Sequence, residues 1–246
     1  MITIVTPYYD RQKQLIRTLL SLQDSKANFE VIIIDDQSNE RPSIPEGLNY
    51  PVSVLRVDNK VWTNPEPAYN KGIKEALRRG AKKIVLQNPE CYHVGDVLKC
   101  VENNLTDADY LSFACFSLDK ESTELETSQI NGCTAVKDGD NAWYNHSIYR
   151  PVAYEFCAAI TAENMKRLNG YDERLAFGWG RGDAYLRHRI KLLGLNIHII
   201  DDPFVIHQWH YNKTPDNRPA LIKKNKRIYK ALLKENTFVA KHLITE

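Results

Sequence analysis

Val31-Ile32-Ile33-Ile34-Asp35-Asp36-Gln37-Ser38 decides the fold. Four consecutive β-branched residues leave no polar face, so the run reads as a strand buried on both sides, as in a parallel sheet covered by helices. The two aspartates mark its carboxyl end. Upstream, Ile2-Thr3-Ile4-Val5 is a second strand. Between the two, Asp10 stands where it could cap a helix whose Leu15, Leu19 and Leu22 share one face. Downstream, residues 52–57 form another strand candidate. Pro67 then opens a helical pattern through Ile73, Ala76 and Leu77 that Gly80 ends, and 84–86 is the next strand. Strand-helix-strand alternation at this spacing predicts an α/β fold with a doubly wound, mostly parallel central sheet flanked by helices.

In such sheets ligands collect at the carboxyl ends of strands, near the switch in strand order. Residues 7–10, 35–38 and 87–90 are therefore the places to look for chemistry. The second half is less regular. Strands are expected at 110–116, 156–160 and 197–200, and Thr161 is placed to cap a short helix before Gly170. A helix is expected over 183–193 and an amphipathic one over 219–233. Residues 119–150 are polar and aromatic, and too long for a connector. They predict a lid or acceptor loop built on Asn141, Trp143, Tyr144, His146 and Tyr149. One domain over 1–212 with a basic, helical extension over 213–246 is the economical division.

Composition narrows the class. With 246 residues and 43% of them hydrophobic, the chain buries a core without disulfides or a structural metal. A net charge of +2 gives no general attraction to nucleic acid. The five cysteines are odd in number and form no CxxC pair, so reduced thiols and a cytoplasmic location are expected. The amino-terminal run lacks a leader pattern and no apolar stretch approaches ~18 residues, which predicts no membrane span. The sequons at Asn104, Asn145 and Asn212 then carry no glycosylation meaning.

Several motifs carry chemistry. Asp35 and Asp36 could accept from a uracil imide or a ribose hydroxyl, or simply cap a turn. Asn70, in Ala68-Tyr69-Asn70-Lys71-Gly72, could reach a base or a nearby backbone group. Glu90, in Asn88-Pro89-Glu90, offers a hard oxygen ligand for Mn²⁺ or Mg²⁺. Phe177-Gly178-Trp179-Gly180-Arg181-Gly182-Asp183 is the strongest local feature. Its glycines allow close backbone approach, Trp179 offers a flat face to a sugar ring, and Gly180 and Arg181 flank that face. Asp183 begins a helix, where the dipole favours a carboxylate, or it is a plain cap. His207 and His210 form an i,i+3 imidazole pair. The basic run from Lys213 and Arg218 to Lys230 reads as the solvated face of the last helix, with Leu221, Ile228 and Leu232 as its apolar stripe.

Taken in order, these pieces resemble a family 2 glycosyltransferase with the GT-A fold, over residues 1–210. The second half is similar to the C-terminal region of galactosyl- and N-acetylgalactosaminyltransferases. The resemblance rests on Thr6-Pro7-Tyr8-Tyr9-Asp10-Arg11, Asp35-Asp36-Gln37-Ser38, Asn70-Lys71-Gly72, Asn169-Gly170-Tyr171-Asp172-Glu173 and Phe177-Gly178-Trp179-Gly180. It implies that Pro7 and Tyr9 border the nucleotide base and that Asp36, with Asp35 as competitor, binds it. It implies Asp183 as catalytic base and His207 as a late metal ligand. Two positions depart from the pattern. The D-x-D metal motif is replaced by Gln87-Asn88-Pro89-Glu90, which leaves Glu90 and His207 to hold Mn²⁺ or Mg²⁺. The acid that precedes the base is replaced by Gly182.

The implied reaction is an inverting displacement from a nucleotide-diphosphate sugar, with UDP the expected nucleotide, onto a hydroxyl of a glycan, lipid-linked or protein acceptor. Lys213 or His210 would assist the diphosphate if the tail folds over the site. A nucleotidyltransferase would want a glycine-rich basic loop where Tyr8-Tyr9-Asp10-Arg11 stands. A non-catalytic nucleotide- or sugar-binding protein of the same fold is the other alternative.

Overall fold

The structure, a computed structural model, describes residues 1–127, 130–137, 139–211 and 215–243. Its first part repeats a strand-helix rhythm. β1 (Ile2–Tyr8), α1 (Gln12–Ser21), β2 (Phe29–Asp35), β3 (Val52–Arg56), α2 (Glu66–Arg78) and β4 (Lys83–Gln87) follow in order. β1 pairs in parallel with both β2 and β4, and β2 pairs in parallel with β3. The strand order 3-2-1-4 places the switch point between β1 and β4.

Burial explains the continuous apolar runs. On one face, Ile4, Tyr8, Val31 and Ile33 pack with Leu15, Leu19 and Leu22 of α1 and with Val97 and Val101 of α3 (Val97–Asn104). On the other, Val5, Ile32, Ile34, Ile84 and Leu86 pack with Ala68, Ile73 and Ala76 of α2. Successive residues of a strand point to opposite faces, so a strand covered on both sides must be apolar throughout. α2 lies close on the sheet because Gly72 leaves room: a Cβ there would meet Val5 Cγ1 at 2.3 Å.

The second part extends the same sheet in mixed sense. β8 (Cys157–Thr161) lies antiparallel to β4 and to β6 (Asp109–Ser117). β9 (Asn196–His207) runs parallel to β6, and β5 (Cys91–Val94) lies antiparallel to β9. β7 (Ala142–Asn145) pairs with the end of β6. Among the described residues the path is 3-2-1-4-8-6-9-5. α5 (Ala162–Leu168) is capped by Thr161, whose hydroxyl accepts from Asn164 N. Leu186 and Ile190 of α6 (Gly182–Leu192) join the α2 face.

Two local expectations are corrected. Asp10 does not cap α1: its backbone is left-handed, its carboxylate accepts from both nitrogens of Asn39, and Arg11 holds the cap position. The described residues of 119–150 are not all loop. α4 (Lys120–Glu124) and β7 occupy part of them. Trp143 is buried against Phe116 and Phe204, and Asn141 binds Asp119 and Ser122. Trp143 is apolar core for the far end of the sheet, whereas Tyr144 packs on the His207 ring and Tyr149 is exposed.

α7 (Arg218–Leu232) packs Leu232 against Leu175 and Tyr185 while Lys223, Lys224, Lys226, Arg227 and Lys230 face solvent. Lys213 and the Asn212 sequon lie outside the described residues. All five cysteines are free thiols. Among the described residues no helix is long and apolar enough to cross a membrane.

Candidate active site

The carboxyl ends of β1, β2 and β4 open on one cavity of about 880 Å³. Pro7, Tyr8, Tyr9, Asp10 and Arg11 come from the first, Asp36 from the second, and Asn88, Pro89 and Glu90 from the third. The opposite wall is Trp179, together with Trp209, His210 and Tyr211 beyond β9. That tail is fastened across α1, since Gln14 Nε2 donates to Trp209 O and Arg11 donates to Tyr211 O.

The two aspartates of the β2 turn separate by environment. Asp35 is fully buried and accepts from Ser38 N and Ser38 Oγ, and Arg56 Nη1 lies 2.5 Å from Asp35 Oδ2. Its oxygens are committed to closing the turn. Asp36 lines the cavity, where it meets Lys60 Nζ at 2.5 Å and accepts from Trp62 Nε1 at 2.9 Å. Burial pushes the Asp36 carboxyl above its ordinary value, and the Lys60 charge and the Lys60 and Trp62 hydrogen bonds offset only part of that. Lys60 also lies over the Tyr9 ring at 4.7 Å.

Glu90, His207 and His210 converge on one point. His207 Nε2 and His210 Nε2 stand 3.4 and 3.5 Å from Glu90 Oε1, and Arg11 Nε stands 3.3 Å from Glu90 Oε2. Burial raises the Glu90 carboxyl, but the two imidazole hydrogen bonds and the Arg11 charge outweigh it and hold the group well below the carboxylate range. One carboxylate and two imidazoles offer ligand atoms within 4.8 Å of one another. Among the described residues, Glu90 Oε2, apart from its ion pair with Arg11, and His207 Nδ1 are buried without a hydrogen-bond partner. The donor set fits a divalent cation.

A smaller cavity, about 210 Å³, adjoins the first and shares Pro65, Tyr69 and Asn88 with it. Its walls are aromatic (Tyr154, Phe156 and Tyr171) and its polar groups include three carboxyls, Glu66, Glu155 and Asp183. Asp183 is the second residue of α6, half-buried, with Oδ1 accepting from Ala184 N. Burial, then the nearby Asp183 charge, raises Glu155 well above its ordinary value, and Tyr171 donates to its Oε1. The preceding loop is fixed by Asn64, which exchanges hydrogen bonds with the backbone of Gly180.

This arrangement has relatives. Residues 3–86 match the family model Glycosyl transferase family 2. An uncharacterized glycosyltransferase of Haemophilus influenzae is 32% identical over 108 residues, 42% of this chain and 35% of that protein. The chain thus matches about a third of that relative's length. Residues 1–349 of TarS from S. aureus superpose with a TM-score of 0.62 at 14% identity, covering 94% of this chain and 64% of that one. The same protein in complex with UDP gives a TM-score of 0.58 at 14% identity, covering 96% and 70%. The catalytic domain of Drosophila beta1,4galactosyltransferase 7, in complex with xylobiose, gives 0.55 at 12% identity, covering 91% and 79%. The family 2 match thus lies on residues 3–86, and the fold is the GT-A fold of these glycosyltransferase structures.

Within this fold, Pro7, Tyr9, Asp36, Trp179 and Glu90 line the larger cavity, Gly180 and Asp183 the smaller, and His207 stands beside Glu90. Three expected residues line neither cavity: Asp35, held in its turn, Asn70 and Arg181. Asn70 is buried and fully engaged: it donates to Tyr171 O and Glu173 Oε1 and accepts from Tyr171 N, so it ties α2 to the 170–173 turn. Arg181 points away from both cavities, its guanidinium over the Tyr229 ring at 5.7 Å, and its left-handed backbone starts α6. Sequence reasoning named neither Lys60 nor Trp62 nor the carboxyls of Glu66 and Glu155 among the site residues. A polar residue beside Pro67 at a helix start carries no local sign of burial.

Proposed function

We propose that this chain transfers a sugar from a UDP-sugar to an acceptor hydroxyl with inversion, Asp183 acting as the base. The observation that carries the reading is the junction of the two cavities. Asp183 faces a sugar-sized pocket that opens, through Pro65, Tyr69 and Asn88, onto the sheet edge where Asp36 and Glu90 stand. UDP is the nucleotide in the S. aureus TarS complex, and its size suits the larger cavity. In this reading Asp36, Pro7 and Tyr9 hold the base, and the sugar reaches into the smaller cavity.

Asp183 takes the proton of the acceptor hydroxyl as that oxygen attacks the anomeric carbon, and the bond from that carbon to the diphosphate oxygen breaks. The aromatic walls exclude water that would otherwise compete as acceptor. Glu90, His207 and His210 would hold a divalent cation, which supplies neutralising charge for the diphosphate. Arg11 stands at the same edge as a fixed cation.

The test is UDP release from a panel of UDP-sugars, with and without Mn²⁺. No release from any donor, with UDP bound, supports a binding protein and overturns the transfer reading. Asp183→Asn should lower kcat by at least about 100-fold, the range of a general base, while UDP affinity changes by less than about twofold. Retained turnover in that variant removes Asp183 from the role.

A further inference from the structure

Gly182 stands where the resemblance places an acid, one residue before the base. The space its missing side chain leaves is occupied. A Cβ built on Gly182 would lie 2.0 Å from Glu66 Oε1 and 2.9 Å from its Cδ. Gly182 has no left-handed backbone that would demand glycine, but a side chain there would have to displace the Glu66 carboxyl, which fills the space beside α6. Two helices, α2 and α6, thus begin at the same point, and the carboxyl comes from the first rather than the second.

Glu66 is 3% exposed and lines the smaller cavity beside Asp183. Its Oε1 accepts from Asn64 Nδ2 at 3.1 Å. Its Oε2 is buried and has no hydrogen-bond partner among the described residues. A buried carboxyl oxygen without a partner is costly, so a native structure that keeps one has a use for it. Burial is also the main reason its carboxyl is pushed up to about 8, against the pull of its own backbone N–H and of the Asn64 hydrogen bond, and with help from the Asp183 and Asp172 charges. Near neutral pH the group is mostly a neutral acid, with Oε2 free to carry the proton and donate it.

We propose that Glu66 is a specificity-determining residue whose Oε2 hydrogen-bonds a hydroxyl of the donor sugar, in the place that an acid at position 182 would otherwise fill. This rests on the sugar-transfer reading above. The donor sugar is favoured over the acceptor because the smaller cavity opens directly into the larger one, at Asn88 and Pro65. A pyranose ring suits its volume and its aromatic walls, and a hydroxyl answers a lone neutral carboxyl better than a charged group does.

Calorimetry with UDP and with UDP-glucose, UDP-galactose, UDP-N-acetylglucosamine and UDP-N-acetylgalactosamine tests the proposal. The quantity read is the gain in affinity of the best UDP-sugar over UDP alone. Glu66→Leu should reduce that gain by about tenfold, the worth of one good hydrogen bond, with UDP affinity itself within about twofold of wild type. Glu66→Gln, which keeps a donor in the same place, should retain the gain within about threefold. In Glu66→Ala/Gly182→Glu the acid moves to the other helix, and the gain should return relative to Glu66→Ala. A Glu66→Leu protein that binds UDP and keeps the full sugar gain overturns the role of Glu66 alone. A wild type that prefers no UDP-sugar over UDP also overturns it. A wild type that binds no UDP overturns the transfer reading first and this proposal with it.

Discussion

Cys91 of β5 is the pairing partner of His207 of β9. That register sets Glu90, one residue before Cys91, against the His207 ring, with Oε1 3.4 Å from Nε2. Gln208 locks the junction, donating through both its backbone and side-chain nitrogens to Glu90 O. The Glu90–His207 contact is therefore built by an antiparallel pairing between segments more than a hundred residues apart. Wild-type protein should show a larger rise in Tm with MnCl₂ than with MgCl₂ at equal concentration, because only the native state presents all three ligands. Glu90→Gln and His207→Ala should each abolish the Mn²⁺ rise. An equal rise with Mg²⁺, or a rise surviving in both variants, would remove the assignment.

Asp35 and Asp36 should part company on substitution. Asp35→Ala strips a buried carboxylate from Arg56 and Ser38 and should cost about 2–3 kcal/mol in denaturant unfolding, less than a fully buried pair because Arg56 is partly solvated. Asp36→Ala should leave stability closer to wild type and weaken UDP binding by about tenfold in calorimetry. The reverse pattern would exchange their roles.

Asn70→Ala removes three buried hydrogen bonds that join α2 to the 170–173 turn. Unfolding should become easier by about 2–3 kcal/mol, while the folded fraction keeps its UDP affinity within about twofold. A selective loss of UDP binding without loss of stability would return Asn70 to the nucleotide site.

Glu66 gives the domain a pH dependence of definite sign. The folded state holds its carboxyl at about 8, against an ordinary value of 4.5. The groups acting on it are its own backbone N–H and Asn64, which lower it, and the Asp183 and Asp172 charges, which raise it further. The folded chain keeps a proton the unfolded chain releases, so the contribution is complete below 4.5 and is lost as pH rises through 8. Glu66→Gln cannot ionise. The stability of the variant minus that of wild type should grow between pH 5 and 8, with a slope approaching about 1.4 kcal/mol per pH unit. A difference independent of pH would show that Glu66 is already ionised. Glu155 and the other titrating groups are common to both proteins and cancel.

The parallel half of the sheet was legible because burial on both faces forces a signature on the residues themselves: 31–34 could be little else than a covered strand. The three turns at its carboxyl edge followed from that, and Asp36, Tyr9 and Glu90 with them. Asp183 was legible through the glycines before it. What escaped depends on distant approach. Asn70 looks like a binding residue until the 170–173 turn arrives to occupy it. Glu66 looks like a solvated helix start until α6 closes on it. Trp143 looks like part of a lid until Phe116 and Phe204 cover it. None of these outcomes is written within ten residues of the side chain concerned.

Asn64 and Asn225 donate to the same two carbonyls, Leu175 O and Gly180 O, one from ahead of α2 and the other from the middle of α7. Asn225 also presses on Gly178, where a Cβ would meet its Oδ1 at 2.0 Å. The segment carrying Trp179 is thus pinned like a bridge between two abutments, and the second abutment is the last helix. A version of this chain ending before Arg218 would retain all the strands described and lose that support. The loop that carries Trp179 is therefore held in part by a helix that follows the last strand of the sheet.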